Sequence, residues 1–289
     1  MSVIYVFPGQ GSQQRGMGKG LFERFPELVG EADAQVGYSL AKLCLDDPEE
    51  QLGQTQFTQP ALYVVNALTH LARLQDGQPP PDFLAGHSLG EYNALFAAQV
   101  FDFRTGLALV RKRGELMAQV QGGAMAAILG LTPERVADLL RNFAFETIDV
   151  ANYNSDRQTV IAGPAADVKE VVPIFEEAGA RAIRLKVSGA FHSRMMRPVA
   201  EQFRAFLAAV AFAPPKAPVI ANVTAQPYAA ESVAELLARQ LASPVQWTET
   251  VRFLLRQPEP QFEEVGPGKV LTGLIRQIRA QDNPAAGPK

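Results

Sequence analysis

The pentapeptide Gly86-His87-Ser88-Leu89-Gly90 matches Gly-x-Ser-x-Gly, the pattern of a serine nucleophile on a tight strand-to-helix turn. Glycines two residues before and two after the serine let the backbone close up. The hydroxyl then projects from the sheet edge beside the positive N-terminus of the following helix. A serine hydroxyl is a weak nucleophile and needs a neighbouring base. Three histidines are available, His70, His87 and His192. His87 adjoins the serine, so its ring is expected to point away from the hydroxyl. His70 lies near the end of an apolar helical stretch with little polar company and reads as a core or helix-end histidine. His192, in Ser188-Gly189-Ala190-Phe191-His192-Ser193, sits in a loop from which a side chain can reach back to the sheet edge. It is the candidate general base.

A second feature is a cation on an apolar face. Thr105 to about Val120 reads as a helix, and Leu109, Val110, Leu116 and Met117 fall within about 60° of Arg113 around its axis. Arg111 points nearly opposite and Lys112 to the side. A buried guanidinium needs an anion, because an unpaired charge inside a protein is costly. Glu115, the nearest acid in sequence, is on the wrong face. Two sources of negative charge remain: an internal carboxylate, or a substrate carboxylate gripped by the planar fork.

The elements that must position these groups alternate between strand and helix. Val3 to Phe7 is a short buried strand that breaks at Pro8-Gly9-Gln10-Gly11-Ser12-Gln13. Thr58-Gln59-Pro60 opens an apolar helix through Leu74, with Thr58 as its expected N-cap. Phe83-Leu84-Ala85 is a second strand, and a helix follows from Glu91 to about Val100. This pattern indicates a parallel α/β sheet. The middle differs: strand Ala124–Leu131, helix from Thr132 to about Leu140, strands Ile148–Asn152 and Gln158–Ala162, helix Ala165–Ala178, strand Ala180–Val187. That βαββαβ order is the split unit of a ferredoxin-like subdomain. The expected organisation is a catalytic α/β subdomain from residues 1–122 and 188–281, an inserted subdomain at 123–187, and a disordered tail at 282–289.

Composition narrows the function classes. The chain has 289 residues, 47% hydrophobic and 20% charged, with a formal net charge of -3, which argues against binding dominated by nucleic-acid phosphates. The single cysteine, Cys44, rules out an internal disulfide and a multi-cysteine metal site. No apolar run approaches the roughly 20 residues of a membrane helix, and nothing at the N-terminus resembles an export signal. The expectation is a cytoplasmic monomer without metal. Gly9-x-Gly11 after a strand hints at a dinucleotide loop, but the third glycine falls at Gly16, outside the required spacing.

Five ordered motifs together resemble the malonyl-CoA:acyl-carrier-protein transacylases. They are Phe7 to Gln13, Gly86 to Glu91, Arg113-Gly114-Glu115-Leu116-Met117, Ala190-Phe191-His192-Ser193 and Val265 to Leu271. The likeness runs from Val3 to about Ile278. Gln54 to Tyr63 and Pro81 to Gly86 are most similar to the discrete, trans-acting acyltransferases of modular polyketide synthases, the disorazole type especially. The resemblance implies an α/β-hydrolase-like core with a ferredoxin-like insertion. It implies Ser88 as nucleophile, His192 as base, Arg113 as the clamp on the malonyl carboxylate, and an oxyanion hole from the backbone N–H groups of Gln10 and Leu89. The main-chain carbonyl of Gln240 would orient the histidine, and Leu89 and Phe191 resemble malonyl selectors. Malonyl-CoA is then a substrate, no resident cofactor is implied, and the transient partner is an acyl-carrier protein bearing the phosphopantetheine thiol. Arg111, Lys112, Arg194 and Arg197 are candidates for contacting that acidic partner. Two further enzymatic readings share the same nucleophile: the transacylase of fatty-acid synthesis, and a thioester hydrolase clearing stalled carriers.

Overall fold

The computed structural model describes residues 1–282. Its core is a four-stranded, fully parallel sheet of order β7-β2-β1-β8, formed by β1 (Ser2–Phe7), β2 (Phe83–Gly86), β7 (Val219–Ile220) and β8 (Pro260–Glu264). Ile4 to Phe7 are fully buried, as expected of a parallel strand covered on both faces. A second sheet of order β4-β5-β3-β6 is antiparallel throughout: β3 (Gly123–Leu129), β4 (Asp149–Ser155), β5 (Gln158–Pro164) and β6 (Arg181–Arg184). With the helices Pro133–Asn142 and Ala165–Glu177 between its strands, this is the ferredoxin-like split βαβ unit. Its four strands fall in the chain between β2 and β7, so the fold is an α/β-hydrolase-like core carrying a ferredoxin-like insertion. Among the described residues, no helix is long and apolar enough to cross a membrane.

Three local expectations need correction. The long helix spans Thr55–Gln75 and is capped at Gln54, not Thr58, and Pro60 lies inside it. The Thr58 hydroxyl instead bonds back to the carbonyls of Leu52, at 2.6 Å, and Gln54, at 3.0 Å. The last strand of the insertion stops at Arg184, although Leu185 N–H still reaches the Met125 carbonyl at 2.9 Å. Asp282, expected in the tail, ends the helix Val270–Asp282 and pairs with Arg252 at 3.0 Å; residues 283–289 of the expected tail lie outside the described residues.

β1 and β2 are central and adjacent, with Phe7 paired to Gly86, so the loops leaving both strands meet at one sheet edge. That is where open α/β sheets place ligands. The meeting is close enough to demand glycine. A Cβ on Gly86 would lie 1.9 Å from the Gly90 carbonyl carbon, one on Gly90 2.0 Å from the Phe7 oxygen, and one on Gly9 2.3 Å from the His87 oxygen. All three obstacles are backbone and cannot step aside.

Replacing Gly86 by alanine should therefore destabilise the protein by roughly 3 kcal/mol, the upper range of overpacking costs. Gly30→Ala is the control, because Gly30 is in the helix Pro26–Val36 with open space where its Cβ would go; it should stabilise by about 0.5 to 1 kcal/mol. Urea unfolding of the two variants checks the pair, and equal midpoints would contradict the packing at the turn.

Candidate active site

The turn 86–90 carries Ser88 in the left-handed region, at φ 51°, a conformation costly for a residue with a side chain. Asn222, just beyond β7, holds it there from two sides. Its side-chain oxygen accepts from Ser88 N–H at 2.7 Å, and its amide donates to the Gly86 carbonyl at 2.6 Å. His87 points away, as expected: its Nε2 meets Asn154 Oδ1 on β4 at 2.8 Å, and its ring lies 5.5 Å from that of Trp247. His70 is packed edge-on against Tyr5, Phe7 and Phe96, with no partner on Nδ1. Neither histidine reaches the serine hydroxyl.

His192 does. Its Nε2 lies 2.7 Å from Ser88 Oγ although 104 residues separate them. His192 also has a positive φ, 60°, and is 3% exposed. The helix Val233–Gln240 explains its position. A helix C-terminus leaves its last carbonyls without intrahelical donors, and here His192 supplies donors to two carbonyls at that end. Its backbone N–H donates to the Leu241 carbonyl at 3.1 Å, and its ring Nδ1 to the Gln240 carbonyl at 2.8 Å. A carbonyl can only accept, so Nδ1 carries the proton and Nε2 presents its lone pair to the serine. Burial and the nearby Arg113 cation push the imidazole down to about 3, so the resting ring is neutral.

Arg113 sits in the helix Phe103–Ala118 and is 1% exposed. Two glycines on that helix allow the close approach that buries it. A Cβ on Gly106 would collide with the Tyr63 hydroxyl at 2.0 Å, and one on Gly114 would press the backbone of Thr55 and Gln56 at 3.2 Å. The neighbouring helix thereby brings Gln59 Oε1 within 2.8 Å of Arg113 Nη1. Nη2 donates to Gln240 Oε1 at 2.9 Å and to Ser88 Oγ at 3.1 Å, while Nε has no partner. The Tyr92 ring lies 5.6 Å from the guanidinium carbon. Every one of these partners is neutral. Among the described residues no carboxylate forms an ion pair with Arg113, so the internal-acid alternative fails.

The nearest buried acid, Glu91, stops one residue short of the cation. Its Oε1 accepts from Asn222 N–H at 2.8 Å and from the Tyr228 hydroxyl at 2.7 Å, and its Oε2 accepts from Gln240 Nε2. Burial pushes this carboxyl up to about 7, against the pull of those three donors. Gln59, Glu91 and Asn222 carried no assigned role in the sequence, although Glu91 closes the Gly86 to Glu91 motif and Gln59 lies in the stretch Gln54 to Tyr63. Glu91 at a helix start reads as an ordinary dipole-favoured surface acid; its signal was that Gly90-Glu91-Tyr92-Asn93-Ala94-Leu95 is otherwise a buried helix face.

The backbone N–H groups of Gln10 and Leu89 make no hydrogen bond among the described residues. The Gly9 backbone packs against the turn, bringing this loop beside Leu89 N. Leu89 and Phe191 are both buried next to Ser88 and His192 in the chain, at 1% and 5% exposure. A cleft of about 360 Å³ opens over His192 and is lined by Leu140, Phe145, Asp149, Tyr153 and Ala242 from both subdomains. Of the four basic candidates for a partner surface, two are already engaged. Arg111 pairs with Glu115 at 2.8 Å, and Arg194 pairs with Asp149, tying the His192 loop to β4. Lys112 and Arg197 form no ion pair among the described residues. No cluster of His, Cys, Asp and Glu there is suited to a metal.

Residues 4–286 match the model of the acyl transferase domain family. The polyketide biosynthesis malonyl CoA-acyl carrier protein transacylase PksC of Bacillus subtilis (strain 168) is 52% identical over 279 residues, covering 96% of this chain and 97% of that protein. The malonyl CoA-acyl carrier protein transacylase of Escherichia coli (strain K12) is 40% identical over 283 residues, covering 95% and 92%. A crystal structure of a malonyl CoA-acyl carrier protein transacylase from Burkholderia pseudomallei superposes with a TM-score of 0.95 at 50% identity, covering 97% of this chain and 99% of that one. A malonyl-transacylase solved in complex with its type II PKS acyl-carrier protein superposes with a TM-score of 0.91 at 40% identity, covering 96% and 93%. Agreement of that depth along almost the whole chain reflects common descent: the protein belongs to the acyl transferase domain family.

Proposed function

We propose that this protein moves a malonyl group from malonyl-CoA to the phosphopantetheine thiol of an acyl-carrier protein, through a malonyl ester on Ser88. The observation that carries it is the guanidinium of Arg113, buried, without an acid partner, and 3.1 Å from the serine hydroxyl. That cation lies where the far end of a short diacid thioester would reach once its carbonyl meets Ser88. A plain acyl chain would leave it unmatched, which disfavours a general thioester hydrolase.

Malonyl-CoA enters with its carboxylate on Arg113. His192 Nε2 takes the Ser88 proton as Oγ attacks the thioester carbonyl, and the Gln240 carbonyl steadies the imidazolium through Nδ1–H. The tetrahedral oxyanion rests on the N–H groups of Gln10 and Leu89, each such donor being worth about 3 kcal/mol of barrier. Collapse expels coenzyme A, whose thiolate takes the proton from His192, and leaves the malonyl ester. The carrier's thiol then gives its proton to His192 and attacks the ester, and Ser88 recovers a proton as it leaves. The chemistry needs no resident cofactor. Leu89 and Phe191 wall the acyl end and restrict branching at the malonyl carbon. The cleft over His192 takes the thioester arm, with Lys112 and Arg197 available to an acidic carrier.

The higher identity to polyketide-biosynthesis transacylases, 52% against 40% for PksC and the Escherichia coli protein, supports service to a polyketide synthase in trans. Use of coenzyme A thioesters supports a cytoplasmic location.

Ser88→Ala should eliminate the covalent malonyl adduct seen by intact-protein mass spectrometry after mixing with malonyl-CoA; a surviving adduct means another nucleophile. Arg113→Ala should cut acylation by malonyl-CoA by roughly 100-fold, about 3 kcal/mol for a lost buried charge contact. The loss with acetyl-CoA should be much smaller, and equal losses on the two thioesters would refute the clamp. The base must also rest neutral. All three histidines are held below the ordinary 6.5, His70 at about 4 and His192 at about 3. The NMR signals of the His70 and His192 imidazoles should thus show no titration as pH falls through 6.5, and a His192 signal that titrates there would contradict the buried geometry.

A further inference from the structure

The hydrogen bonds around Gln240 run in one direction. Its amide nitrogen donates to Glu91 Oε2 and to the Ser88 carbonyl, the latter at 2.8 Å. Its amide oxygen accepts from Arg113 Nη2 at 2.9 Å. A glutamine side chain is nearly symmetric in shape but opposite in polarity at its two ends. Turned over, it would set its NH2 against the guanidinium, donor facing donor, and its oxygen against the Ser88 carbonyl. The guanidinium and the Ser88 carbonyl oppose that turn, and the ionised Glu91 carboxylate adds the third constraint, because its Oε2 can then only accept. The carboxyl is itself fixed, because its other oxygen takes the Asn222 N–H and the Tyr228 hydroxyl. Asn222 is in turn the residue that clamps the Ser88 turn.

We infer that Glu91 is a positioning residue, which sets the polarity of the Gln240 amide and thereby aims Arg113 at the substrate carboxylate. This rests on the function proposed above. Glu91 touches neither Ser88 Oγ nor His192, so it acts through Gln240. The main-chain carbonyl that holds His192 belongs to the same residue but does not turn with the amide. The two tasks of Gln240 are therefore separable: its backbone serves the base, and its side chain serves the clamp.

The amide in Glu91→Gln keeps the shape and an oxygen for Asn222 and Tyr228, but it presents NH2 to Gln240 and favours the inverted amide. Single-turnover acylation of Ser88 by malonyl-CoA and by acetyl-CoA, read by intact mass, tests this. The malonyl-to-acetyl rate ratio should fall about 10- to 100-fold, the scale of one hydrogen bond to a charged group. A carboxyl that only braces the segment after β7 would lower both rates together, and an unchanged ratio overturns the inference. Should Glu91→Gln fail to accumulate as folded protein, Gln240→Met removes the amide and leaves the main-chain carbonyl for His192. It should lower the same ratio, and equal losses on both thioesters again overturn the inference. A wild-type chain that takes no malonyl at all sinks the proposed function instead, and this inference with it.

Discussion

A guanidinium taken out of water must find negative charge or be held by enough dipoles to stay. Arg113 is held by dipoles: two side-chain amide oxygens, one hydroxyl and an aromatic face. Such a shell keeps the cation in place without neutralising it. Much of the surrounding chemistry follows. Its field helps keep the His192 ring unprotonated, and it opposes the upward push of burial on the Glu91 carboxyl and the Tyr92 hydroxyl. A carboxylate entering beside Ser88 meets a charge that no internal acid has cancelled.

Keeping the cation unpaired but solvated by dipoles demands close packing. The helix Phe103–Ala118 presents Gly106 and Gly114 to the helix Thr55–Gln75, so that Gln59 can reach across. At the sheet edge, backbone of the first loop touches backbone of the serine turn at Gly9, Gly86 and Gly90. These contacts bring the loop after β1, a strained serine and a cation into one small volume. The inserted subdomain closes the site from the far side through β4: Asn154 holds His87, Asp149 holds Arg194, and the main chain of Ala151 and Tyr153 bonds Val245.

Much of this was written locally. The Gly-x-Ser-x-Gly turn, the apolar stripe that carries Arg113, and the βαββαβ order each show within a few residues or one element. Where local signals misled, a tertiary contact had taken over. Thr58 and Pro60 resemble a helix start, but the Thr58 hydroxyl caps carbonyls of the preceding turn and the helix begins earlier. Arg194, one of the basic residues that could meet a partner protein, also straps the His192 loop to β4. Asp282 follows the last apolar residues and reads as tail until Arg252, 30 residues away, captures it in an ion pair.

The sequence by itself determined which groups could do chemistry, because a nucleophile turn, a helical stripe and a small set of histidines are properties of residue type and spacing. It also determined the order of the elements. Only the tertiary structure decided that His192 meets Ser88, that the unfilled carbonyls of Gln240 and Leu241 hold the histidine, and that Arg113 has amides where an acid could have been. Those facts join segments roughly 50 to more than 100 residues apart, and no local periodicity encodes such distances. Glu91 shows the limit most plainly: its residue type predicts a solvated helix start, and only packing against Asn222, Tyr228 and Gln240 makes it part of the site.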